Sequence, residues 1–189
     1  IFIMSDIAWL YDSLGEFEKA LKYLERLEEL GQNDAWTSTE YGYCLAKLKR
    51  FDEAIVKINR ALEAEDEDKD KDTAYIYSQL GWCQRHLEKY DEAIETFLKA
   101  KKWARNDAWI NIELGHCYKA KNEKEKALEF YLKAEKFDKN DISLLSDIAW
   151  HYDALDRNEE ALKYIKRVVR LGRDDAWINE EYGACLSGL

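Results

Sequence analysis

The fold is decided by the stretch Ser5–Leu48, SDIAWLYDSLGEFEKALKYLERLEELGQNDAWTSTEYGYCLAKL, which returns at Ser146–Leu189 as SDIAWHYDALDRNEEALKYIKRVVRLGRDDAWINEEYGACLSGL. The two copies are offset by 141 residues. A shorter period lies inside them, because one small residue recurs at steps of 34, 39, 34 and 34: Ala20, Ala54, Ala93, Ala127 and Ala161. Self-similarity with a period of about 20–50 residues is typical of repeat architectures.

Each 34-residue unit has the pattern of two amphipathic helices. In the unit that starts at Ala74, apolar residues recur at 76, 80, 83 and 87 and again at 93, 94, 97 and 100. This i, i+3, i+4, i+7 spacing predicts two helices with one buried face each, joined by the short polar turn 88–91.

The junctions between units carry Asn and Asp and never proline, which the chain lacks altogether. The junction residues are Asn33-Asp34, Asn106-Asp107, Asn140-Asp141 and Asp174-Asp175. Their side-chain oxygens can accept the first backbone N–H groups of the following helix, so we expect helix N-caps there.

These features resemble the tetratricopeptide repeat (TPR), a 34-residue helix–turn–helix unit. Counting places from the first residue of a repeat, the family has Gly at place 8, Tyr at 11, Ala at 20 and a bulky residue at 24. Gly115, Tyr118, Ala127 and Tyr131 match all four places. The family's first-helix Trp and repeat-ending Pro are absent. The resemblance implies an all-α fold, a right-handed α-solenoid of antiparallel helix pairs.

We therefore predict a single TPR array over residues 1–189, cut from a longer array. Its repeats are 1–34, 35–73, 74–107, 108–141 and 142–175, with a partial repeat at 176–189. The second repeat is longer because of an acidic insertion near residues 65–72, EDEDKDKD. Such a charged run is typical of a solvated loop or a frayed helix end, and a regulatory or partner-binding role is the alternative.

Charge and hydropathy exclude several classes of partner. With 39 acidic and 29 basic residues the net charge is −10, which repels nucleic-acid phosphates. No apolar run approaches the ~18 residues of a membrane-spanning helix, so we expect neither nucleic acid nor membrane as partner. No phosphate-binding loop, nucleophile elbow or metal-ligand pair is present, so we predict no enzyme activity, no cofactor and no metal site.

Four cysteines occupy place 10 of their repeats: Cys44, Cys83, Cys117 and Cys185. Equivalent places in stacked helices are about 8–10 Å apart, too far for a disulfide. We interpret them, and His151 at the same place, as core residues, and free buried thiols favour a cytoplasmic location. Trp103, at place 30 with Leu30 and Leu171, is likewise expected in the core.

Aromatic residues are frequent on the side of the first helices that lies opposite the predicted buried face and should be polar. Places 2 and 9 hold nine of them in twelve positions: Phe2, Trp36, Tyr75, Trp109, Trp177, Trp9, Tyr43, Trp82 and Trp150. In TPR proteins the corresponding stripe lines a concave groove that binds peptides, so the resemblance makes these residues, with His116, the candidate contact surface. The alternative is that they only pack repeats together.

Place 6 adds acids to the same face: Asp6, Glu40, Glu113, Asp147 and Glu181. Carboxylates beside rings favour a cation, so we expect a peptide or partner segment carrying Lys or Arg. Lys47, Arg85 and Lys119 interrupt the pattern, where pairing within the chain is an equal alternative. Places 5 and 9 lack the Lys, Arg and Asn of the family's carboxylate clamp.

Function is therefore predicted as a non-enzymatic protein-interaction scaffold with an aromatic and acidic groove. One alternative is a structural module that stacks head-to-tail, because the last helix leaves Tyr182, Cys185 and Leu186 without a partner helix. A weaker alternative is binding of a small cation or a glycan on the tryptophans.

Overall fold

The computed structural model describes residues 2–64, 69–104 and 107–188. Over these residues the chain forms eleven α-helices and no strand. They are α1 Phe2–Ser13, α2 Phe17–Glu29, α3 Ala35–Lys47, α4 Phe51–Glu63, α5 Lys69–His86, α6 Tyr90–Trp103, α7 Ala108–Ala120, α8 Lys124–Glu135, α9 Ile142–Asp153, α10 Asn158–Arg170 and α11 Ala176–Ser187. The predicted all-α fold of paired helices is confirmed.

The helices belong to two compact units, residues 1–104 with α1–α6 and residues 105–189 with α7–α11. In unit 1 the pairs α1/α2, α3/α4 and α5/α6 pack together, and α2/α3 and α4/α5 join one pair to the next. In unit 2, α7/α8 and α9/α10 are the pairs, and α11 packs on α10.

Aspartates cap the first helices as the sequence predicts. Asp34, Asp107 and Asp175 accept the backbone N–H of Thr37, Ile110 and Ile178 at 2.7, 3.1 and 3.0 Å. Asp141 accepts from Ser143 and Leu144 in the same way. Asn106 lies outside the described residues. These caps satisfy N–H groups that have no partner inside the helix.

The turn inside each pair is fixed by the backbone. Place 15 is left-handed in all five turns, with φ between 56° and 74°, at Gly15, Lys49, Glu88, Asn122 and Asp156. The next residue then donates its N–H to the carbonyl five residues earlier, as Lys89 does to Gln84 at 2.9 Å. A left-handed residue with this hydrogen bond ends a helix sharply, so no proline is needed.

Close packing within a pair depends on glycine. A Cβ built on Gly42 would lie 2.5 Å from Cγ1 of Ile58, and one on Gly81 would lie 2.9 Å from Cε1 of Phe97. The residue at place 24 of the second helix thus lies on the backbone of the first. All four cysteines and His151 are buried, as predicted.

Two expectations change. Trp103 is 48% exposed, and Leu30 and Leu171 are exposed as well, because place 30 falls at the end of the second helix and not on its buried face. The predicted acidic insertion lies partly outside the described residues, since 65–68 are not described. Helix α5 begins at Lys69, five residues before the predicted start of its repeat at Ala74.

Candidate functional site

The aromatic residues at place 2 are exposed on both units. Trp36, Tyr75 and Trp109 have 40%, 41% and 39% of their surface accessible. Trp36 and Trp109 are the second residues of α3 and α7, and Tyr75 lies six residues after the start of α5. All three lie on the side of the helix opposite its buried positions. The side chain of Phe2 is outside the described part of the chain, and Trp177 is half-buried.

The aromatic residues at place 9 are less accessible, except for Trp9, which is 57% exposed on α1. Tyr43, Trp82 and Trp150 are half-buried. In unit 1 the ammonium of Lys47 lies 4.9 Å from the ring centre of Tyr43 and 5.1 Å from that of Trp82. A cation of the chain itself therefore occupies this part of the stripe.

Trp82 also belongs to a ring cluster that the sequence reasoning did not find. The His86 ring stacks on Phe51 at 4.8 Å and meets Trp82 edge-on at 4.6 Å. Burial, followed by the charges of Arg85 and Lys47, lowers the pKa of His86. In the sequence, this ring cluster is indicated by Phe51, the first residue of α4, which lies three residues after Leu48.

A small cavity of about 220 Å³ opens between α3 and α5 in unit 1, and we call it the Glu40 cup. Trp36, Glu40 and Tyr75 line it together with Ala35, Thr39 and Ile76. Burial and repulsion from Asp12 raise the pKa of Glu40 to about 7. Across the part of the chain that the structure describes, Glu40 has no hydrogen-bond or ion-pair partner.

The acids at place 6 differ from one another. Asp6 is exposed, whereas Glu113 is only 6% exposed and has interactions of its own. Asp147 is bound to Lys119, and burial raises the pKa of Glu181. Among the described residues, the Glu40 cup is therefore the one place where an acid of the predicted site lies with two exposed rings of that site.

In unit 2, a cavity of about 390 Å³ lies among α7, α9 and the turn before α11, and we call it the Arg173 pocket. Lys119 donates to Oδ1 of Asp147 at 2.7 Å and lies 5.2 Å from the ring centre of Trp150. Pairing within the chain, the alternative left open for Lys119, is what the structure shows.

The other half of this pocket was missed by the sequence reasoning. The guanidinium carbon of Arg173 lies 4.9 Å from the ring centre of Trp177. Its Nη1 donates to Oγ of Ser146 at 2.8 Å, and its Nε donates to Asp175 at 2.7 Å. The only available signal was the position of Arg173, two residues before the cap of α11.

His116 is held by its own repeat. The hydroxyl of Tyr131 and Nδ1 of His116 share a hydrogen bond of 2.8 Å. Among the described residues, no three His, Cys, Asp or Glu side chains come together as a metal site. No helix in the described ranges is both long and apolar enough to cross a membrane.

In the pairs α3/α4, α5/α6 and α7/α8, a glycine of the first helix packs against a bulky residue of the second. Together with the capped junctions and the exposed aromatic residues, this packing defines the class as a helical repeat protein that serves in protein interaction. Two tetratricopeptide repeat models match the sequence, one over residues 33–106 and the other over residues 3–34 and 110–141. The chain belongs to the tetratricopeptide repeat family. Its members are generally non-enzymatic interaction modules.

Solved structures with a similar fold include two of MamA. One MamA structure has 22% identity, a TM-score of 0.76 and coverage of 90% of each chain. The other, MamA from Desulfovibrio magneticus RS-1, has 21% identity, a TM-score of 0.79 and coverage of 92% of this chain and 96% of that one.

YrrB, described as a TPR protein with an unusual peptide-binding site, is similar at 20% identity and a TM-score of 0.73. The match covers 94% of this chain and 89% of YrrB. At these identities the likeness shows the fold alone. Among curated proteins, none matches the sequence.

Proposed function

We propose that this chain is a non-enzymatic interaction scaffold that binds a Lys or Arg side chain of a partner polypeptide in the Glu40 cup. The observation that carries the proposal is the environment of Glu40. Its half-buried carboxyl lies between two exposed rings, and no cation of the described chain is on it.

A bound cation would meet two favourable interactions at once. It would face the carboxylate of Glu40 directly and the π-faces of Trp36 and Tyr75, a contact worth about 0.5–2 kcal/mol per well-placed ring. The cation would also lower the pKa of Glu40, since it favours the charged carboxylate. Binding and ionisation of Glu40 are therefore linked.

Each unit also has other predicted contact residues. Trp9, Tyr43, Trp82, Trp109, Trp150 and His116, with Asp6, Glu113 and Asp147, are the further residues proposed to contact the partner. A peptide-binding site in the similarly folded YrrB supports the class of ligand. Buried reduced thiols support a reducing compartment such as the cytoplasm.

The test uses matched small ligands and the indole N–H signal of Trp36 in a ¹⁵N NMR titration. N-acetyl-arginine methylamide carries the charge, and N-acetyl-citrulline methylamide has nearly the same shape without it. We expect arginine to bind about 3–30-fold more tightly than citrulline. The preference should grow between pH 6 and pH 8, as Glu40 ionises.

Glu40→Gln should remove the preference for arginine, whereas Asp52→Asn should keep it. Asp52 is an exposed acid on α4 and is the matched control for charge. Equal affinity for arginine and citrulline in the unchanged protein would refute the proposal.

A second candidate function, head-to-tail association of two copies, rests on two exposed apolar helix faces. Leu186 on α11 is 51% exposed. A cavity of about 440 Å³ between α10 and α11 is lined in part by Ile178 and Tyr182. Ile3 and Leu10 on α1 are exposed, and so is Leu14, which directly follows this helix. Cys185 is buried, so the predicted exposure holds for Leu186 and not for this thiol.

We propose that α1 of one copy covers α11 of another, which is a heterologous contact. Light scattering over a dilution series should then show a mass that rises with concentration. Leu186→Glu should abolish the rise, and Val56→Glu, at an exposed position on α4, should not. A constant monomer mass at every concentration would exclude this function.

A further inference from the structure

The Arg173 pocket of unit 2 differs in charge from the Glu40 cup. Two cations line it, Lys119 and Arg173, against one acid, Asp147. The lining of the pocket therefore has one more cation than acid, and Asp175, which lies outside the lining, pairs with Nε of Arg173.

The rings of this pocket already carry cations. Lys119 lies over Trp150 and Arg173 over Trp177, at 5.2 and 4.9 Å from the ring centres. A basic ligand would have to displace one of them and lose the contact that it replaced. The same two cations would attract an acidic ligand.

Both cations keep donors for a ligand. Arg173 has five N–H groups, of which those on Nε and Nη1 hold Asp175 and Ser146. Its Nη2 has no acceptor among the described residues. Lys119 has three N–H groups, and Asp147 accepts one of them. Charge-assisted hydrogen bonds to a carboxylate are about twice as strong as neutral ones.

From these contacts we infer that the Arg173 pocket binds the side-chain carboxylate of a Glu or Asp residue in a partner polypeptide. Nη2 of Arg173 and the ammonium of Lys119 are the donors. The indoles of Trp150 and Trp177 hold the two cations in place and offer an apolar wall to the ligand's methylene groups. The cavity of about 390 Å³ has room for such a side chain.

The two cations do not lie at the places of the family's carboxylate clamp. Lys119 is at place 12 of a first helix, and Arg173 is in the turn between two repeats. Neither is at place 5 or 9, where the carboxylate clamp has its basic and amide residues. The pocket and the Glu40 cup also share no residue, so either one can fail in experiment without affecting the other.

A variant of Asp147 distinguishes a pocket that binds an anion from one that binds a cation, because the two predict opposite changes in affinity. If the pocket takes a carboxylate, Asp147 competes with the ligand for Lys119, and Asp147→Asn should tighten binding. If the pocket takes a cation, Asp147 is a ligand group, and the same variant should weaken binding. Asn has nearly the shape of Asp, so the fold is preserved.

The probes are N-acetyl-glutamate methylamide and its neutral match, N-acetyl-glutamine methylamide, read by the indole N–H signals of Trp150 and Trp177. We expect glutamate to bind at least 5-fold more tightly than glutamine at low salt. Asp147→Asn should raise the affinity for glutamate about 3–10-fold. Lys119→Met and Arg173→Met should each lower it by a similar factor.

Lys99→Met is the control, because Lys99 is an exposed cation on α6 and its loss changes the net charge equally. It should leave the glutamate affinity unchanged. Equal binding of glutamate and glutamine, or weaker glutamate binding in Asp147→Asn, would overturn the inference. So would a titration with N-acetyl-arginine methylamide that moved the same indole signals and lost its effect in Asp147→Asn.

Discussion

The ring of Tyr131 packs directly on the backbone of Gly115 and fills the space that a side chain at position 115 would need. The same relationship holds between Ile58 and Gly42 and between Phe97 and Gly81. Gly183 holds the equivalent place in α11, and a Cβ there would meet no atom within 4 Å. One repeat place thus has two packing environments in a single chain.

Gly115→Ala should therefore destabilise the protein by about 1–3 kcal/mol, since the added methyl group must displace the ring of Tyr131. Gly183→Ala should be neutral or stabilising by up to about 1 kcal/mol, because alanine favours helix and meets open space. Urea unfolding followed by circular dichroism gives both values. Equal losses in the two variants would contradict the packing relationship.

Glu40 should make stability fall as the pH rises. Its folded pKa of about 7 is above the ordinary 4.5, so the folded chain keeps a proton that the unfolded chain loses between these values. In Glu40→Gln, the side chain at position 40 does not ionise in either state. The variant should match the unchanged protein near pH 4.5 and exceed its free energy of unfolding by about 1–3 kcal/mol at pH 8.

His151 should make the stability of the protein fall as the pH falls, which is the opposite of the effect of Glu40. Burial lowers the pKa of His151 below 6.5, and its Nδ1–H donates to the carbonyl of Asp147 at 2.7 Å. Its buried Nε2 has no partner among the residues that the structure describes. The unfolded chain then takes up a proton below pH 6.5 before the folded chain does, so stability is lost as the pH falls. His151→Cys, with the residue found at place 10 in other repeats, should lose less on acidification.

Thermal melts of both proteins at pH 7.5 and pH 5 measure the effect. The difference in melting temperature between the two pH values should be smaller in the variant. An equal difference in the two proteins would show that His151 does not contribute.

The four thiols should be unreactive in the folded protein. All are fully buried, and burial is the main cause that raises the pKa of Cys83 and of Cys185 to about 12. The thiolate is the reactive form, so iodoacetamide at pH 8 should leave all four unmodified. Mass spectrometry should find four modified thiols in urea, and rapid labelling of any one without urea would contradict its burial.

The left-handed turn residues offer a way to stabilise the fold. Glu88 has a φ of 60°, which costs an L-residue about 1–2 kcal/mol and costs glycine almost nothing. Glu88→Gly should raise the free energy of unfolding by about 0.5–1 kcal/mol after the added chain entropy of glycine is included. Gly15→Ala, at the same place and with open space around it, should lower it.

Much of the fold follows from the sequence alone, because each helix pair repeats a local pattern. Spacing of apolar residues placed the helices, and Asp residues at the junctions predicted the caps that Asp34, Asp107, Asp141 and Asp175 form. Burial of Cys44 and His151 followed from their shared repeat place. Trp103 was misplaced, since counting residues does not show that place 30 falls where the second helix ends.

The charge character of the candidate sites needed the tertiary structure. Sequence placed acids and rings on one helix face, but it could not show which of them already have a partner from another repeat. Lys119 of the fourth repeat pairs with Asp147 and lies over Trp150 of the fifth, and Arg173 of the fifth lies over Trp177 of the partial repeat. Glu40 alone, among the described acids of place 6, lies between two exposed rings without such a partner. Local spacing determines helices and their faces, whereas long side chains from neighbouring repeats decide which charges remain for a ligand.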